Sequence, residues 1–152
     1  MSESVEFCLN KATEMEIVNH LLLCEADFVP PLSGRVEIGN YAHKIADKAT
    51  RFEAWADGSL VGLVAAYCND TQHLAAYITS VSVLQSRQGK GIASQLIRRC
   101  IENAKLLGFE RIELEVDSEN VGAVRLYEEM SFKINGADGR TTTMQLNIRE
   151  ET

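Results

Sequence analysis

The stretch Gln88-Gly89-Lys90-Gly91-Ile92-Ala93 decides how this chain folds. It follows residues 74–84, whose pattern predicts a long strand, and it opens residues 91–107, whose apolar side chains recur at helical spacing. A glycine-rich turn that opens a helix presents backbone N–H groups at the positive end of the helix dipole, which suits a pyrophosphate. The turn therefore predicts either an anion site or an ordinary connection between a strand and a helix.

The distribution of charge around this turn agrees with an anion site. The chain has a formal net charge of -7, yet no Asp or Glu lies between Asp70 and Glu102. Four basic residues lie in that gap: Arg87, Lys90, Arg98 and Arg99. A bound polyanion would explain the gap, and so would a buried strand followed by a half-buried helix. We interpret Arg98 and Arg99 as favourable charge near the end of the helix, too far along it to reach a pyrophosphate.

The composition is typical of a globular domain and argues against some kinds of partner. With 152 residues, of which 45% are hydrophobic and 24% charged, we expect one globular domain over residues 1–152. The sequence has no apolar run long enough for a bilayer and no signal peptide, so we expect no membrane partner. The acidic balance argues against a nucleic-acid partner.

The cysteines bear on the compartment. Cys8, Cys24, Cys68 and Cys100 have no paired spacing, which predicts reduced thiols in the cytoplasm and neither disulfides nor zinc. No other cluster of metal ligands is visible, so we expect no metal.

Hydrophobic periodicity and turn signals predict eleven elements in the order β-α-α-β-β-β-α-β-α-β-β. Thr13 and Glu16 form a capping box, and Asp57-Gly58 is a hairpin turn. Gly108 follows a helix as its C′ residue. The predicted strands are 5–9, 51–56, 60–68, 74–84, 110–116, 132–134 and 142–148, and the helices are 13–25, 41–49, 91–107 and 120–130. Loops are predicted at 27–39, 69–72 and 136–140.

Two motifs resemble those of the GNAT superfamily of N-acetyltransferases. The family's acetyl-CoA signature is Arg or Gln, two residues, Gly, one residue, then Gly or Ala, and it is matched here by Gln88, Gly91 and Ala93. The second block resembles the family's N-x-x-A-x-x-L-Y-x-x-x-G-F helix, and its matching residues are Asn120, Ala123, Leu126, Tyr127 and Phe132. The resemblance implies an α/β (α+β) fold with a mixed, mainly antiparallel sheet of six to seven strands flanked by about four helices. Ser131 departs from the family's Gly, which costs roughly 1 kcal/mol if its backbone is left-handed.

The resemblance also implies how acetyl-CoA would bind as co-substrate. The strand ending at Val83 would part from residues 110–116, and backbone groups around Val81, Ser82 and Val83 would pair with the pantetheine arm. The pyrophosphate would be held by the N–H groups of Gln88, Gly89, Lys90, Gly91, Ile92 and Ala93, helped by the Lys90 charge and the Ser94 hydroxyl. Asn120 would bind near the pantetheine. Ser94 and Asn120 could instead only cap their helices.

Direct attack of an amine on the thioester would give a tetrahedral intermediate without a covalent enzyme intermediate. Tyr127 matches the family's general acid, which protonates the leaving thiolate, although it could instead be a buried aromatic. Glu115 or Glu113 could accept the amine's proton, directly or through water, or could belong to a solvated strand face. No motif surrounds His20, His43 or His73, so we expect surface or loop positions for them.

The resemblance also implies that the first two helices and their loop shape the acceptor pocket. Phe28, Tyr41, Tyr67 and Tyr77 could supply aromatic walls, and Arg35 or Lys44 could bind an anionic group. Of these we assign Phe28, Tyr41 and Tyr77 to the substrate, a small-molecule amine. Two other functions stay open: a protein or peptide N-acetyltransferase, which would need an open groove, and a non-catalytic acyl-CoA-binding module. A homodimer is compatible with the resemblance, and the sequence does not determine the oligomeric state.

Overall fold

The computed structural model describes residues 4–149 as a sheet with helices on both faces. The strands are β1 Glu6–Leu9, β2 Thr50–Ala56, β3 Ser59–Asp70, β4 Ala75–Val83, β5 Arg111–Asp117, β6 Lys133–Asp138 and β7 Thr141–Asn147. The α-helices are α1 Glu14–Cys24, α2 Ile38–Lys48, α3 Ile92–Leu106 and α4 Val121–Glu129. Short 3-10 helices lie at Glu25–Asp27, Leu32–Gly34 and Gln85–Arg87.

The strands form one seven-stranded sheet in the order β1-β2-β3-β4-β5-β7-β6. All neighbouring pairs are antiparallel except β4 and β5, which run parallel and are joined through α3. A parallel pair needs such a crossover, whereas hairpins join β2 to β3, β3 to β4 and β6 to β7. The predicted mixed, mainly antiparallel sheet with four helices is confirmed.

Each face of the sheet carries its own apolar core. On one face Ile92, Leu96 and Ile97 of α3 pack against strand residues such as Val64 and Ile112. On the other face the buried residues of α1 and α2 pack against Trp55, Leu60, Leu63 and Ala65. Successive strand residues point to opposite faces, so the central strands are apolar on both sides. Among residues 4–149 no helix has both the length and the apolar character needed to cross a membrane.

The predicted capping box, hairpin turn and left-handed residue are present at the ends of helices and strands. Thr13 accepts a hydrogen bond from Glu16 N at 3.1 Å, and Glu16 accepts one from Thr13 N at 2.9 Å, so the capping box is present. Asp57 and Gly58 join β2 to β3. Ser131 has φ 78°, so the departure from glycine does fall on a left-handed residue.

Three predicted loops differ from the structure. The turn predicted at 69–72 starts later, because β3 continues to Asp70 and pairs there with Ala75. The loop predicted at 136–140 is mostly strand: Gly136 pairs with Thr143, and a Cβ at Gly136 would lie 2.8 Å from Thr143 Oγ1. The glycine therefore permits close strand packing there. In the segment predicted as loop 27–39, α2 already begins at Ile38 and is capped by Glu37.

A buried charged pair ties the start of α1 to the sheet. The Glu53 side chain is fully buried on β2 and accepts hydrogen bonds from the backbone N–H groups of Lys11 and Ala12 and, at 2.9 Å, from Trp55 Nε1. Arg51 Nε lies 3.3 Å from Glu53 Oε2. These donors replace the hydration that the carboxylate loses on burial.

Candidate active site

The site forms where β4 and β5 part. The two strands pair from Ala75↔Arg111 to Ile78↔Leu114 and no further, although β4 continues to Val83 and β5 to Asp117. On their outer edges both strands remain paired, β4 with β3 and β5 with β7. Their inner edges therefore face each other with unpaired backbone groups. The predicted separation of these strands is present.

An extra residue on β4 accompanies the separation. Ile78 pairs with Ala66 and Ser80 with Ala65, so Thr79 is a bulge between them. The Tyr41 hydroxyl, on α2, donates to Thr79 O at 2.6 Å and lies 2.9 Å from Thr79 Oγ1. Tyr41 thus stabilises the bulge through these contacts with Thr79, and it does not line the cleft between β4 and β5.

A cleft of about 610 Å³ fills the gap between the strands. Its walls come from the inner edges of β4 and β5, the glycine turn, the first turns of α3 and α4, and the segment that follows α1. Ten of the eleven predicted cofactor residues line it: Val81, Ser82, Val83, Gln88, Gly89, Gly91, Ile92, Ala93, Ser94 and Asn120. Lys90 belongs to the same turn but does not line the cleft.

The glycine turn leaves the N-terminus of α3 without a side-chain cap. Gly91, the N-cap residue, has φ 81° and makes no side-chain hydrogen bond. The first bond to the turn is donated by Gln95 N to Gly91 O, so the N–H groups of Ile92, Ala93 and Ser94 have no acceptor within the helix. By contrast α1, α2 and α4 are capped by Thr13, Glu37 and Asn120. The α3 terminus is therefore suited to an anion.

Two of the predicted cofactor residues already use polar groups within the protein. Gln88 N donates to Gln85 O at 3.3 Å, and Gln88 Nε2 donates to Val83 O at 3.1 Å and to Asp27 Oδ2 at 3.2 Å. Asn120 Oδ1 accepts from Ala123 N at 3.2 Å and so caps α4. Gln88 thus ties the turn to the segment after α1, and Asn120 serves as the N-cap of α4.

Tyr127 lies on α4 at the wall of the cleft and is 7% exposed. Its ring packs against Phe132, with 6.0 Å between ring centroids. Burial raises the pKa of the Tyr127 hydroxyl, because the phenolate would lose its hydration. The phenol therefore holds its proton at neutral pH, which is the form that a proton donor requires.

The two acidic residues proposed as bases differ in their surroundings. Arg111 Nε donates to Glu113 Oε2 at 2.6 Å, so the Glu113 carboxylate is engaged. Glu115 lines the cleft and has no ion-pair partner among residues 4–149. Burial raises the pKa of the nearby Tyr77 to about 12, and the negative charge of Glu115 adds to this rise. Of the two, Glu115 is the carboxylate available to a ligand.

The predicted substrate residues are divided between the cleft and its surroundings. Phe28 lines the cleft together with its neighbour Val29 and with Arg35. Tyr77 does not line the cleft, although its register on β4 places it beside Glu113 of β5. The segment that carries Phe28 is held by the buried side chain of Leu32, which packs into the core of the α1 and α2 face.

The prediction for His20 was wrong. This residue lies on α1, is 2% exposed, and touches two strands. Because Nδ1 lies 3.1 Å from the Leu60 carbonyl, it carries the proton, and Nε2 accepts from the Ser82 hydroxyl at 2.9 Å. Burial lowers the pKa of His20. Its spacing of three residues from Ile17 and four from Cys24, both buried, was the signal for a buried face.

Comparisons with known proteins agree with this fold. The model of the acetyltransferase (GNAT) family matches residues 15–132. An uncharacterised N-acetyltransferase, YvbK of Bacillus subtilis, is 31% identical over 87 residues, which are 57% of this chain and 55% of that protein. The N-alpha-acetyltransferase MAK3 of Arabidopsis thaliana is 34% identical over 82 residues, 53% of this chain and 43% of that protein. The chain thus spans about half the length of these curated relatives.

A solved structure extends the likeness to nearly the whole chain. The PaiA N-acetyltransferase of Thermoplasma acidophilum, determined in complex with coenzyme A, superposes with a TM-score of 0.74 at 15% identity. The alignment covers 95% of this chain and 99% of that one. At this identity the likeness concerns the fold, and the family match rests on the sequence. Since the family model matches well over half of its residues, the chain belongs to the acetyltransferase (GNAT) family.

Proposed function

We propose that this protein transfers an acetyl group from acetyl-CoA to the primary amine of a small molecule. The observation that carries the proposal is the gap between β4 and β5, which leads to the uncapped N-terminus of α3. The gap offers unpaired backbone groups to an extended arm, and the helix terminus offers N–H groups to a pyrophosphate. A related fold has been solved with coenzyme A, which supports the same ligand here.

The residues around the gap would hold acetyl-CoA mainly through backbone groups. Val81 and Val83 would pair with the pantetheine arm, and the N–H groups from Gly89 to Ser94 would surround the pyrophosphate. The Ser82 hydroxyl is bonded to His20, so Ser82 would contact the ligand through its backbone. Asn120 would use the part of its amide that does not cap α4.

The reaction would need one proton acceptor and one proton donor. The amine nitrogen attacks the thioester carbon, a tetrahedral intermediate forms, and the carbon–sulfur bond then breaks. Glu115 would take the amine's proton, directly or through one water, and Tyr127 would protonate the leaving thiolate. Because burial makes Tyr127 a weaker acid than free tyrosine, we expect its contribution near the lower end of general-acid effects, about a hundredfold.

The nature of the acceptor separates this proposal from its alternative. The name of the MAK3 relative, an N-alpha-acetyltransferase, favours an α-amino group as acceptor, which a protein N-terminus also offers. In this chain, however, Phe28, Val29 and Arg35 form part of the cleft wall, which supports a small acceptor over an open groove. A non-catalytic acyl-CoA module has less support, since Tyr127 is present at the cleft. The four cysteines are free, which supports a reducing compartment such as the cytoplasm.

Calorimetric titration with acetyl-CoA and a thiol-release assay over a panel of amines test the proposal. Gly91→Val should abolish acetyl-CoA binding, since a side chain at φ 81° would strain the turn and block the approach to the α3 terminus. Gly139→Val is the matched control, because Gly139 also has a positive φ, 63°, but lies in the turn between β6 and β7. Equal affinity for acetyl-CoA in Gly91→Val and wild type would contradict the assignment of the turn.

Tyr127→Phe tests the proton donor separately. Removing only the hydroxyl preserves the ring contact with Phe132, so acetyl-CoA affinity should stay close to wild type. We expect kcat to fall about a hundredfold. An unchanged kcat would remove Tyr127 as the acid and leave the binding site intact. Binding of acetyl-CoA without thiol release for any amine would instead favour the non-catalytic module.

A further inference from the structure

The acceptor side of the cleft lies on the face of the sheet that carries α1 and α2. Ile112, Leu114 and Val116 of β5 belong to the core beneath α3, so Glu113 and Glu115 point to the opposite face. The glycine turn opens α3, whereas Phe28 and Arg35 come from the segment between α1 and α2. An acceptor and the pyrophosphate would therefore approach from opposite faces.

Arg35 lines the cleft and comes from the segment between α1 and α2. Its positive charge opposes the rise in the pKa of both Tyr41 and Tyr77. Tyr41 is bonded to Thr79, the bulge at which β4 and β5 part. From Thr79 to Val83 the strand advances by roughly 13 Å, so the bulge lies at the end of the gap away from the glycine turn. Since the pyrophosphate would lie at the turn, the acceptor would take the end of the cleft near the bulge.

The charged side chains of the cleft divide into two groups. Asp27 accepts a hydrogen bond from Gln88, Arg87 pairs with Asp57 at 3.4 Å, and Asp117 pairs with Arg140 at 3.0 Å. The two remaining charged residues that line the cleft are Arg35 and Glu115. Among residues 4–149 neither side chain has a hydrogen-bond or ion-pair partner.

We propose that the acceptor is a free amino acid or a closely similar zwitterion. Arg35 would bind its carboxylate, and Glu115 would form an ion pair with its ammonium group. This inference rests on the proposed acetyl transfer. A guanidinium binds a carboxylate through two parallel hydrogen bonds, which an unpaired Arg35 can offer. A diamine would bring its second positive charge towards Arg35, whereas a peptide N-terminus has no carboxylate beside its amine. The opposite charges of Arg35 and Glu115 would therefore select against diamines and against peptide N-termini.

Arg35 and Glu115 would have different roles during acetyl transfer. Arg35 would orient the acceptor without taking part in bond making. The ammonium must lose a proton, to Glu115 or to water beside it, before its nitrogen forms the new carbon–nitrogen bond. The carbon–sulfur bond breaks, and the thiolate takes the proton of Tyr127. The nitrogen loses its second surplus proton as the intermediate collapses, and this proton restores Tyr127 through water. The products are the N-acetyl amino acid, coenzyme A and the proton that Glu115 releases to solvent.

Thiol release at saturating acetyl-CoA tests the inference with matched acceptors. Each free amino acid is compared with the amine that lacks its carboxylate, and an amino-acid amide series represents peptide N-termini. In wild type the amino acids should exceed their partners in kcat/KM by at least about tenfold. Arg35→Gln should raise KM for amino acids by roughly tenfold to a hundredfold, with acetyl-CoA affinity unchanged. Arg35→Glu should reverse the preference, so that diamines become the better acceptors.

Arg98→Gln is the matched control, since Arg98 is an exposed arginine on α3, on the other face of the sheet. It should retain the wild-type preference. The zwitterion inference would be overturned if the amines without a carboxylate reacted with a kcat/KM equal to or above that of the amino acids, and if Arg35→Gln left these values unchanged. The proposed acetyl transfer would then still stand. A preference for the amides would assign the site to peptides. No thiol release with any acceptor, despite acetyl-CoA binding, would overturn both the inference and the proposed function.

Discussion

Replacing Gly62 by alanine would test how closely α3 must approach the sheet. Gly62 lies on β3, and a Cβ there would stand 2.9 Å from Ile92 Cγ2 and 3.3 Å from both Ala54 Cβ and Leu96 Cδ1. Ordinary carbon–carbon contacts are about 3.5–4.0 Å, so the new methyl would be too close to Ile92 by at least about 0.6 Å. A β-branched side chain in a helix has one favoured χ1 rotamer. Relief therefore requires a shift of α3 itself.

The size of the effect follows from two opposing contributions. Overpacking of this kind costs about 1–3 kcal/mol, whereas alanine in a strand is about 0.5–1 kcal/mol better than glycine. The net loss in the free energy of unfolding should be about 1–2 kcal/mol. An unfolding entropy of about 2.1 cal/mol/K per residue, over 152 residues, converts this to a fall in Tm of about 3–6 °C. Acetyl-CoA binding should weaken as well, because Ile92 supplies an N–H group of the proposed anion site.

Thermal unfolding followed by circular dichroism would measure the change. Gly34→Ala is the control, because a Cβ at Gly34 would meet nothing within 4 Å and its Tm should stay at or slightly above that of wild type. Ile92→Leu removes the γ2 methyl, so the double variant should recover part of the loss seen in Gly62→Ala. A Tm for Gly62→Ala equal to or above that of wild type would refute the reasoning.

Three further changes have expected outcomes. Ser131→Gly should raise the free energy of unfolding by about 0.5–1 kcal/mol, seen as a Tm gain of about 2–3 °C, since Ser131 has φ 78°; a lower Tm would contradict the strain. Glu53→Gln should lower it by about 3 kcal/mol in urea unfolding, since Arg51 loses its buried counter-ion, whereas the exposed Glu102→Gln should change little; equal losses would contradict this. Burial lowers the pKa of His20 from 6.5, so the unfolded chain binds the proton more readily. Stability from neutral His20 is thus complete above about pH 6.5 and is lost as pH falls below it. The Tm of wild type should therefore fall more between about pH 7.5 and about pH 5.5 than that of His20→Gln, and parallel curves would exclude His20 as a cause.

Features that depend on neighbouring residues were predicted well. The capping box of Thr13 and Glu16, the Asp57-Gly58 turn and the helix opened by the glycine turn each lie within a few residues of chain. The order of elements follows from the period of the apolar residues. The loops were predicted less well, because the ends of β3 and β6 depend on strands that pair with them.

The candidate site was predicted in part. The residues proposed for the cofactor could be named from the resemblance, and all but Lys90 of them line the cleft. The acceptor side has no motif. Tyr41, which we had assigned to the substrate, instead donates a hydrogen bond to the Thr79 bulge. Arg35 could be proposed as a substrate-binding residue only because the structure shows that other charged residues of the cleft have partners.

The sequence by itself determined the class of fold, the order of the elements and the family, because dihedral preferences, hydrophobic period and short motifs are properties of neighbouring residues. The tertiary structure alone decided which distant groups meet. The hydrogen bond from Ser82 to His20 spans 62 residues, and that from Ala12 N to Glu53 spans 41. Such contacts, like the charges that remain without a partner, depend on how segments pack across the sheet, and no local pattern encodes that packing.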